Sequence, residues 1–229
     1  MRKHQKPCRA LLATLTAGLM LAGCTTFGNG LPGINAGSLF NKQQGTTFSY
    51  PQIYAAKTDG GYTIPAVPWE KINPSYLRQT VNYPTSEAPG TIVVDTGSRH
   101  LYLVESNGKA IRYGIGIGRA GFSWSGRAVV DHKQQWPRWF PPAEMISRKP
   151  ELQHYSAANG GMGPGLKNPL GARALYIYQG GKDTLYRIHG NPEWWSIGNA
   201  VSSGCIRMLN QDAIDLYNRV SAKAPIVVK

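Results

Sequence analysis

Short apolar runs separated by turn-forming residues dominate the chain from residue 90 onwards. Three such runs, TIVVD, HLYLVE and AIRYGIGI, occupy much of residues 91–117 and are rich in β-branched and aromatic residues. The sequences between them, TGSR and SNGK, are typical turn sequences. This pattern predicts an antiparallel meander of three strands.

A second pair of runs follows later in the chain. ALYIYQ and TLYRIH flank GGKD and predict a hairpin whose second strand ends at His189. Asn210 is predicted to cap a helix that extends to about Val220, with Ile214, Tyr217 and Val220 on one face, and PIVVK is predicted to be the last strand. The sequence therefore predicts a mostly β domain, a sandwich or meander, with one or two short helices.

The predicted elements begin near residue 90, and this gives a domain of about 140 residues, 90–229. Residues 24–89 are rich in Gly, Pro, Asn, Ser and Thr and show no sustained period of 2 or 3.6. They are predicted to form a flexible tether.

The N-terminus is typical of an export signal. Basic residues at positions 2, 3, 6 and 9 precede an uncharged apolar run over residues 10–23. The run ends in LAG, and Cys24 follows it. That run is shorter than the roughly 20 residues needed to span a bilayer, so residues 1–23 are predicted to be a signal peptide. The small residues before Cys24 resemble a bacterial lipobox, which predicts cleavage before Cys24 and its lipidation. An ordinary signal peptide with an incidental Cys24 is the alternative.

The charge balance is strongly basic. The chain has 25 Lys and Arg against 12 Asp and Glu, and removal of residues 1–23 leaves 21 against 12, a net charge of +9. This charge favours an anionic polymer or a membrane surface as partner, although a generally solvated basic surface is an equal alternative. Nucleic acid is not predicted, because the basic residues are scattered and form no recognition motif.

The cysteine count singles out one thiol. Cys8 lies in the predicted signal peptide and Cys24 at the predicted lipidation site. Cys205 therefore has no obvious cysteine with which to form a disulfide in an exported chain. Such a leftover cysteine is a candidate reactive thiol. A small buried apolar residue and a disulfide between Cys24 and Cys205 are the alternatives.

Other chemistries fit the sequence less well. The histidines at positions 4, 100, 132, 154 and 189 lack metal-ligand spacing, so no metal and no cofactor are predicted. The glycines at 116, 118 and 121 match G-x-G-x-x-G, but a strand-like sequence follows them where a dinucleotide site needs a helix, and close packing is the preferred interpretation. Ser202 and Ser203 lack the G-x-S-x-G pattern of a serine nucleophile.

His189 and Cys205 are the best candidates for a base and a nucleophile. They are separated by sixteen positions of turn-rich sequence that could bring the imidazole beside the thiol. Gly204 leaves room for a substrate, and the N–H groups of Gly204 and Cys205 could face a developing oxyanion. No acidic residue near His189 in sequence is an obvious partner for it, so a backbone carbonyl is the candidate.

At these residues the chain resembles the YkuD-type L,D-transpeptidases. HG followed by SSGCIRM, with the Cys sixteen positions after the His, is similar to the family signature. TIVVDTGSRHLYLVE, WPRWFPPAEMI and GGMGPGLKNPLGARALYI are similar to its catalytic domain. The resemblance implies that Cys205 is the nucleophile, that His189 is the proton donor and acceptor, and that the Gly190 carbonyl orients His189.

The resemblance also implies roles for flanking residues. Arg207 would structure the site or meet a substrate carboxylate, and a structural role alone is equally compatible with the sequence. Ser203 stands where the family usually has a second histidine. Trp194 and Trp195 would line the entrance, with simple core or surface packing as the alternative.

The implied reaction is acyl transfer on peptidoglycan. Cys205 would attack the bond between diaminopimelate and D-Ala of a tetrapeptide stem, release D-Ala and pass the acyl group to an amine acceptor, either a second stem or an outer-membrane protein. A hydrolytic L,D-carboxypeptidase and a non-catalytic wall-binding lipoprotein are the alternatives. The expected location is the periplasmic side of the bacterial envelope, with the outer membrane favoured because Thr25 follows Cys24.

Overall fold

A computed structural model describes residues 48–118, 124–202 and 204–229, without the side chain of Ser202. The signal peptide, Cys24, residues 24–47 of the tether and Ser203 lie outside the described residues. The described helices are α1 (Tyr50–Ile53), α2 (Ala143–Arg148) and α3 (Asn210–Arg219). None of these helices has the length and apolar character needed to cross a membrane.

The described strands are short and numerous, as the sequence predicts. They are β1 (Lys57–Asp59), β2 (Tyr62–Ile64), β3 (Gln79–Asn82), β4 (Ile92–Asp95), β5 (His100–Val104), β6 (Lys109–Gly114), β7 (Ile117–Gly118), β8 (Gly126–Gln135), β9 (Arg173–Gln179), β10 (Lys182–Asn191), β11 (Ala200–Ser202), β12 (Ile206–Leu209) and β13 (Pro225–Val228). The mostly β fold class is confirmed.

One nine-stranded sheet organises the domain, in the order β12-β10-β9-β8-β13-β4-β5-β6-β3. β4, β5 and β6 form the predicted antiparallel meander. Two neighbouring pairs, β13 with β4 and β10 with β12, are parallel. The backbone of Arg207 in β12 also pairs with Gly116, just after β6, so the sheet curls until its two ends approach each other.

The predicted hairpin is confirmed, with a tighter turn than expected. β9 and β10 are antiparallel and are joined by Gly180 and Gly181, both with positive φ (56° and 77°). Two consecutive glycines of this kind suit a two-residue hairpin turn. β10 therefore starts at Lys182. Its pairing with β9 is irregular between Asp183 and Arg187, where β10 has more residues than the facing segment of β9.

Helix α3 covers one face of this sheet. Ala213, Leu216 and Val220 are buried in the main core with Leu175 and Ile188, and their spacing brings them to one side of the helix.

The predicted N-cap of α3 is wrong. The Asn210 side chain makes no capping hydrogen bond, and its Oδ1 accepts from the backbone N–H of Ala172 at 2.9 Å. Asn210 therefore connects the helix to the strand beneath it.

For residues 48–89 the structure corrects the predicted flexible tether. β3 pairs with β6 at the edge of the large sheet, and Tyr54 and Leu77 belong to a second buried cluster. Arg78, 5% exposed, forms ion pairs with Asp212 at 3.1 Å and Asp215 at 2.5 Å on α3. Elements of three or four residues are too short to show a hydrophobic period, so local sequence gives no signal for them.

Candidate active site

The two predicted catalytic residues lie on or beside two neighbouring strands, His189 in β10 and Cys205 directly before β12. They run parallel, with Ile188 opposite Ile206 and His189 opposite Arg207. Alternate side chains point to opposite faces, so Ile188 and Ile206 enter the core and His189 and Arg207 lie on the other side. Cys205 comes directly before β12, and if the alternation of Ile206 and Arg207 extends back by one residue, we expect its side chain on the side of Arg207 and His189.

The expected separation of His189 and Cys205 follows from this register. Neighbouring strands lie about 4.8 Å apart, and each strand rises about 3.3 Å per residue. Two residues on neighbouring strands that are offset by two positions along the strand therefore have Cα atoms roughly 8 Å apart. Imidazole and thiol side chains can meet across that distance. The parallel pairing of β10 and β12, which sequence periodicity does not reveal, therefore supports the predicted pair.

His189 is buried, with 4% of its surface exposed, and its Nδ1 lies 2.7 Å from the Gly190 carbonyl oxygen. Because a carbonyl only accepts, Nδ1 carries the proton and Nε2 is left as the acceptor. Burial lowers the pKa of His189 to about 4; the hydrogen bond to Gly190 opposes this shift, and the positive charge of Arg207 reinforces it. The imidazole is therefore neutral at neutral pH.

The Gly190 carbonyl is held in place by tight packing on its other side. A Cβ atom at Gly190 would lie 2.3 Å from Asn210 Oδ1, and one at Gly171 would be equally close to the same oxygen. Neither position has room for a side chain. The start of α3 thus presses against the backbone that orients His189.

Cys205 is a partly exposed thiol whose Sγ lies 4.0 Å from the Leu185 carbonyl oxygen. Burial raises the pKa of this thiol, whereas the backbone N–H of Arg187 and the charges of Arg187 and Arg207 lower it. The pair at neutral pH is consequently a neutral thiol and a neutral imidazole, so proton transfer to His189 would accompany nucleophilic attack.

Gly204, predicted to leave room for the substrate, has a φ of +131°. A Cβ there would lie 3.7 Å from the Tyr186 ring, an ordinary contact. The backbone conformation and not the available space therefore favours glycine at this position.

The other predicted site residues differ in their surroundings. Arg207 forms an ion pair with Glu193 at 2.7 Å. Trp194 is partly buried against the cluster that contains Tyr54, whereas Trp195 is 58% exposed and meets Trp194 edge to face. Trp194 thus packs against the second cluster with part of its surface accessible, and the role of both tryptophans at an entrance stays a prediction.

Gly116, from the glycine motif, packs closely against backbone. A Cβ there would lie 2.5 Å from the Ser196 carbonyl oxygen. Within residues 48–118, 124–202 and 204–229, no three His, Cys, Asp or Glu side chains are grouped so as to hold a metal ion.

The model of the YkuD family, the L,D-transpeptidase catalytic domain, matches residues 89–228. This chain belongs to the YkuD L,D-transpeptidase family. The match covers β4 to β13 and every candidate catalytic residue.

Two curated relatives come from Escherichia coli strain K12. Probable L,D-transpeptidase YbiS is 31% identical over 148 residues, which cover 63% of this chain and 45% of YbiS. Probable L,D-transpeptidase ErfK/SrfK is 34% identical over 136 residues, which cover 56% of this chain and 40% of the relative. The chain thus spans less than half the length of these curated relatives.

Among solved structures, one from Brucella melitensis named as a probable carnitine operon oxidoreductase caia is 47% identical, covers 67% of this chain and 94% of that chain, and has a TM-score of 0.47. An L,D-transpeptidase from Mycobacterium smegmatis is 21% identical, covers 61% of this chain and 58% of that chain, and has a TM-score of 0.41. Membership of the L,D-transpeptidase family rests on the family model and not on these superpositions, whose TM-scores are below 0.5.

Two residues of this candidate site, Asn191 and Arg187, were not singled out from the sequence. Asn191 donates to the Pro169 carbonyl at 3.2 Å and accepts from the Glu193 N–H at 2.7 Å, which fixes the loop after His189. Arg187 lies two positions before His189, on the same face of β10. The period of two in TLYRIH is the signal that could have identified Arg187.

Proposed function

We propose that this chain is an exported L,D-transpeptidase that acts on peptidoglycan stem peptides. The observation that carries the proposal is a neutral, buried His189, oriented through Nδ1 by the Gly190 carbonyl, on a strand that pairs in parallel with the strand directly after Cys205. Membership of the YkuD family supports the reaction class.

In the first step the Cys205 sulfur attacks the carbonyl between diaminopimelate and D-Ala of a tetrapeptide stem. His189 Nε2 takes the thiol proton as the carbon–sulfur bond forms. The N–H groups of Gly204 and Cys205 stabilise the oxyanion, a type of interaction whose loss costs roughly 3–4 kcal/mol in well-studied hydrolases. The imidazolium then protonates the D-Ala nitrogen, and free D-Ala leaves a thioester on Cys205.

In the second step an amine acceptor attacks the thioester, and His189 removes the proton from that amine. The tetrahedral intermediate collapses, and the sulfur leaves as the Cys205 thiol. The acceptor is a second stem, giving a 3→3 cross-link, or an amine of an outer-membrane protein. Arg207 and Trp195 are proposed to contact the stem, and Ser203 is proposed to be a tolerated replacement of the usual histidine.

Muropeptide analysis tests the reaction. Purified full-length protein is incubated with sacculi and compared with Cys205→Ala and His189→Gln. The wild type should produce 3→3 dimers or protein-linked stems, and neither variant should produce them. Tripeptide stems without new cross-links would indicate a carboxypeptidase, and unchanged muropeptides would indicate a non-catalytic wall-binding protein.

The nucleophile has an independent test. Intact-mass analysis after treatment with meropenem should show an adduct on the wild type and none on Cys205→Ala. An adduct that persists in the variant would assign the nucleophile elsewhere.

The envelope location is proposed from residues 1–24. Lipidation at Cys24 would anchor the domain to a membrane, with the outer membrane favoured. Radiolabelled palmitate should be incorporated into the wild type and not into Cys24→Ala, and membrane fractionation should separate the two. Label retained in the variant would contradict the anchor.

A further inference from the structure

Strand β10 contains an irregularity beside the thiol. Asp183 is paired with Tyr178 and Arg187 with Tyr176, so residues 184–186 stand opposite a single residue of β9. Leu185, at the centre of this bulge, has a φ of +63° and is 77% exposed. A bulky residue in the left-handed region is uncommon and strained.

The strained bulge is held by its own side chains. The Leu185 N–H donates to Asp183 Oδ1 at 2.8 Å, and the Tyr186 N–H donates to Thr184 Oγ1 at 3.2 Å. The Thr184 hydroxyl in turn donates to the Ile177 carbonyl at 2.7 Å. Strain that the surroundings maintain in this way is most often found at functional sites.

The bulge brings Asp183 into contact with Arg187. In a regular strand, residues four positions apart have Cα atoms roughly 13 Å apart, too far for a close two-point contact. Here two parallel hydrogen bonds of 2.7 Å join the Arg187 guanidinium to the Asp183 carboxylate. The guanidinium also donates to the Tyr186 carbonyl at 2.9 Å and lies 4.4 Å from the centre of the Tyr176 ring.

Arg187 belongs to a row of side chains that crosses the three strands β8, β9 and β10. Tyr176 on β9 is its paired neighbour, and His132 on β8 pairs with Tyr176, the two rings being stacked at 4.1 Å. On the other side, extension of the β10–β12 ladder by one residue from Ile188 and Ile206 places Cys205 next to Arg187. The row therefore ends at the candidate nucleophile.

We propose that Arg187 is a positioning residue for the L,D-transpeptidase reaction, whose guanidinium, fixed by Asp183 and Tyr176, holds a positive charge beside Cys205 while the sulfur carries negative charge. An opposite charge a few ångströms away favours the thiolate, and the backbone N–H of Arg187 acts in the same direction. The inference rests on the proposed role of Cys205 as nucleophile.

Other charged or titratable groups near Cys205 are carried by the same elements and the loop after β10. They are Asp183, Tyr186 and His189 on β10, Arg207 on β12, and Glu193 in the loop. Arg207 forms an ion pair with Glu193 at 2.7 Å, and Arg187 forms one with Asp183 at 2.7 Å, so a carboxylate partly compensates each guanidinium. A change at Arg187 leaves the Arg207–Glu193 pair in place, and it raises the pKa of the thiol both by removing the Arg187 charge and by leaving Asp183 uncompensated.

The chain offers a closely matched control in Arg173 on β9. This arginine makes the same two-point contact with an aspartate, Asp59, at 2.7 and 2.8 Å, and lies 5.1 Å from the centre of the Tyr217 ring. It points to the face covered by α3, away from Cys205. Arg173→Met thus removes an equivalent ion pair without altering the charge beside the thiol.

The test measures the alkylation rate of Cys205 by iodoacetamide against pH in the full chain. Mass spectrometry of the peptide that contains Cys205 separates its modification from that of Cys8 and Cys24, and thermal unfolding verifies the fold. In Arg187→Met the midpoint of the alkylation rate against pH should rise by roughly half to one pH unit. The alkylation rate at pH 7 should then be about three- to tenfold lower than in the wild type. Arg187→Lys should shift it less, and Arg173→Met should superimpose on the wild type.

An Arg187→Met profile identical to the wild type, or an equal shift in Arg173→Met, would overturn the proposal. If Arg187→Met does not fold, Arg187→Gln, which keeps N–H donors for Asp183, carries the same expectation. Stem-peptide transfer with an unshifted Arg187→Met profile would refute the role of Arg187 alone. A shifted profile in a protein that transfers no stem peptide would refute the proposed function alone.

Discussion

Acidification should destabilise this protein through His189. The side chain is 4% exposed, and its Nδ1–H donates to the Gly190 carbonyl. Burial lowers its pKa to about 4, whereas a histidine in an unfolded chain has a pKa near 6.5. The folded and unfolded states therefore bind a proton in different pH ranges.

The sign and size of the effect follow from that difference. Above about pH 6.5 the imidazole is neutral in both states, and its ionisation does not affect stability. Between about pH 6.5 and pH 4 the unfolded chain binds a proton that the folded protein does not, so unfolding becomes easier as the pH falls. At about 1.4 kcal/mol per pH unit, the free energy of unfolding should decrease by roughly 3 kcal/mol over this interval.

Urea unfolding of the wild type and His189→Gln at several pH values between 7.5 and 4 measures this contribution. The variant cannot bind the proton, and the other titrating groups are common to both proteins, so the difference between the two curves isolates His189. His154→Gln, at an exposed histidine, is the matched control. If the wild type and His189→Gln lost stability in parallel between pH 6.5 and 4, the reasoning from burial would be refuted.

Three further predictions concern the structure around this site. Gly190→Ala should lower the melting temperature and abolish acylation of Cys205, because its Cβ would lie 2.3 Å from Asn210 Oδ1; full acylation by meropenem would contradict this. Burial raises the pKa of Asp212 to about 7, so the contribution of Asp212 to the free energy of unfolding should decrease as the pH rises from about 4 to 7; in urea unfolding, the stability of the wild type relative to Asp212→Asn should decrease over that range. Arg78→Met leaves two carboxylates, Asp212 and Asp215, without their shared partner and should cost roughly 3–5 kcal/mol in the same assay; a loss below about 1 kcal/mol would contradict it.

The elements that were predicted correctly are those whose sequence pattern is formed by neighbouring residues. The runs of β4, β5 and β6 alternate or cluster apolar residues within five or six positions, and the turns between them contain Gly, Asn and Ser, so the meander could be read directly. The motif around Cys205 likewise identified the family, because its residue types and spacing are contiguous in the chain. Helix α3 was predicted close to its observed bounds for the same reason.

Residues 48–89, which were predicted to belong to a flexible tether, show why other features could not be predicted. Its strands have three or four residues, and its stability comes from distant contacts, such as the Tyr54 hydroxyl that donates to Asp212, 158 positions later, at 3.2 Å. A Gly- and Pro-rich stretch with no hydrophobic period resembles a tether until such partners are known. The side chain of Asn210 is a similar case, since its acceptor role depends on Ala172, the residue just before β9.

The sequence by itself determined the mostly β fold, the family and the two residues proposed to perform the chemistry, because strand propensity and a contiguous motif are properties of neighbouring positions. Only the tertiary structure decided how these residues act. The parallel pairing of β10 with β12 brings His189 to the strand next to the one that follows Cys205, and the bulge at Leu185 lets Arg187 form its two-point contact with Asp183. Burial, which keeps His189 neutral at neutral pH, is set by all the elements packed around it.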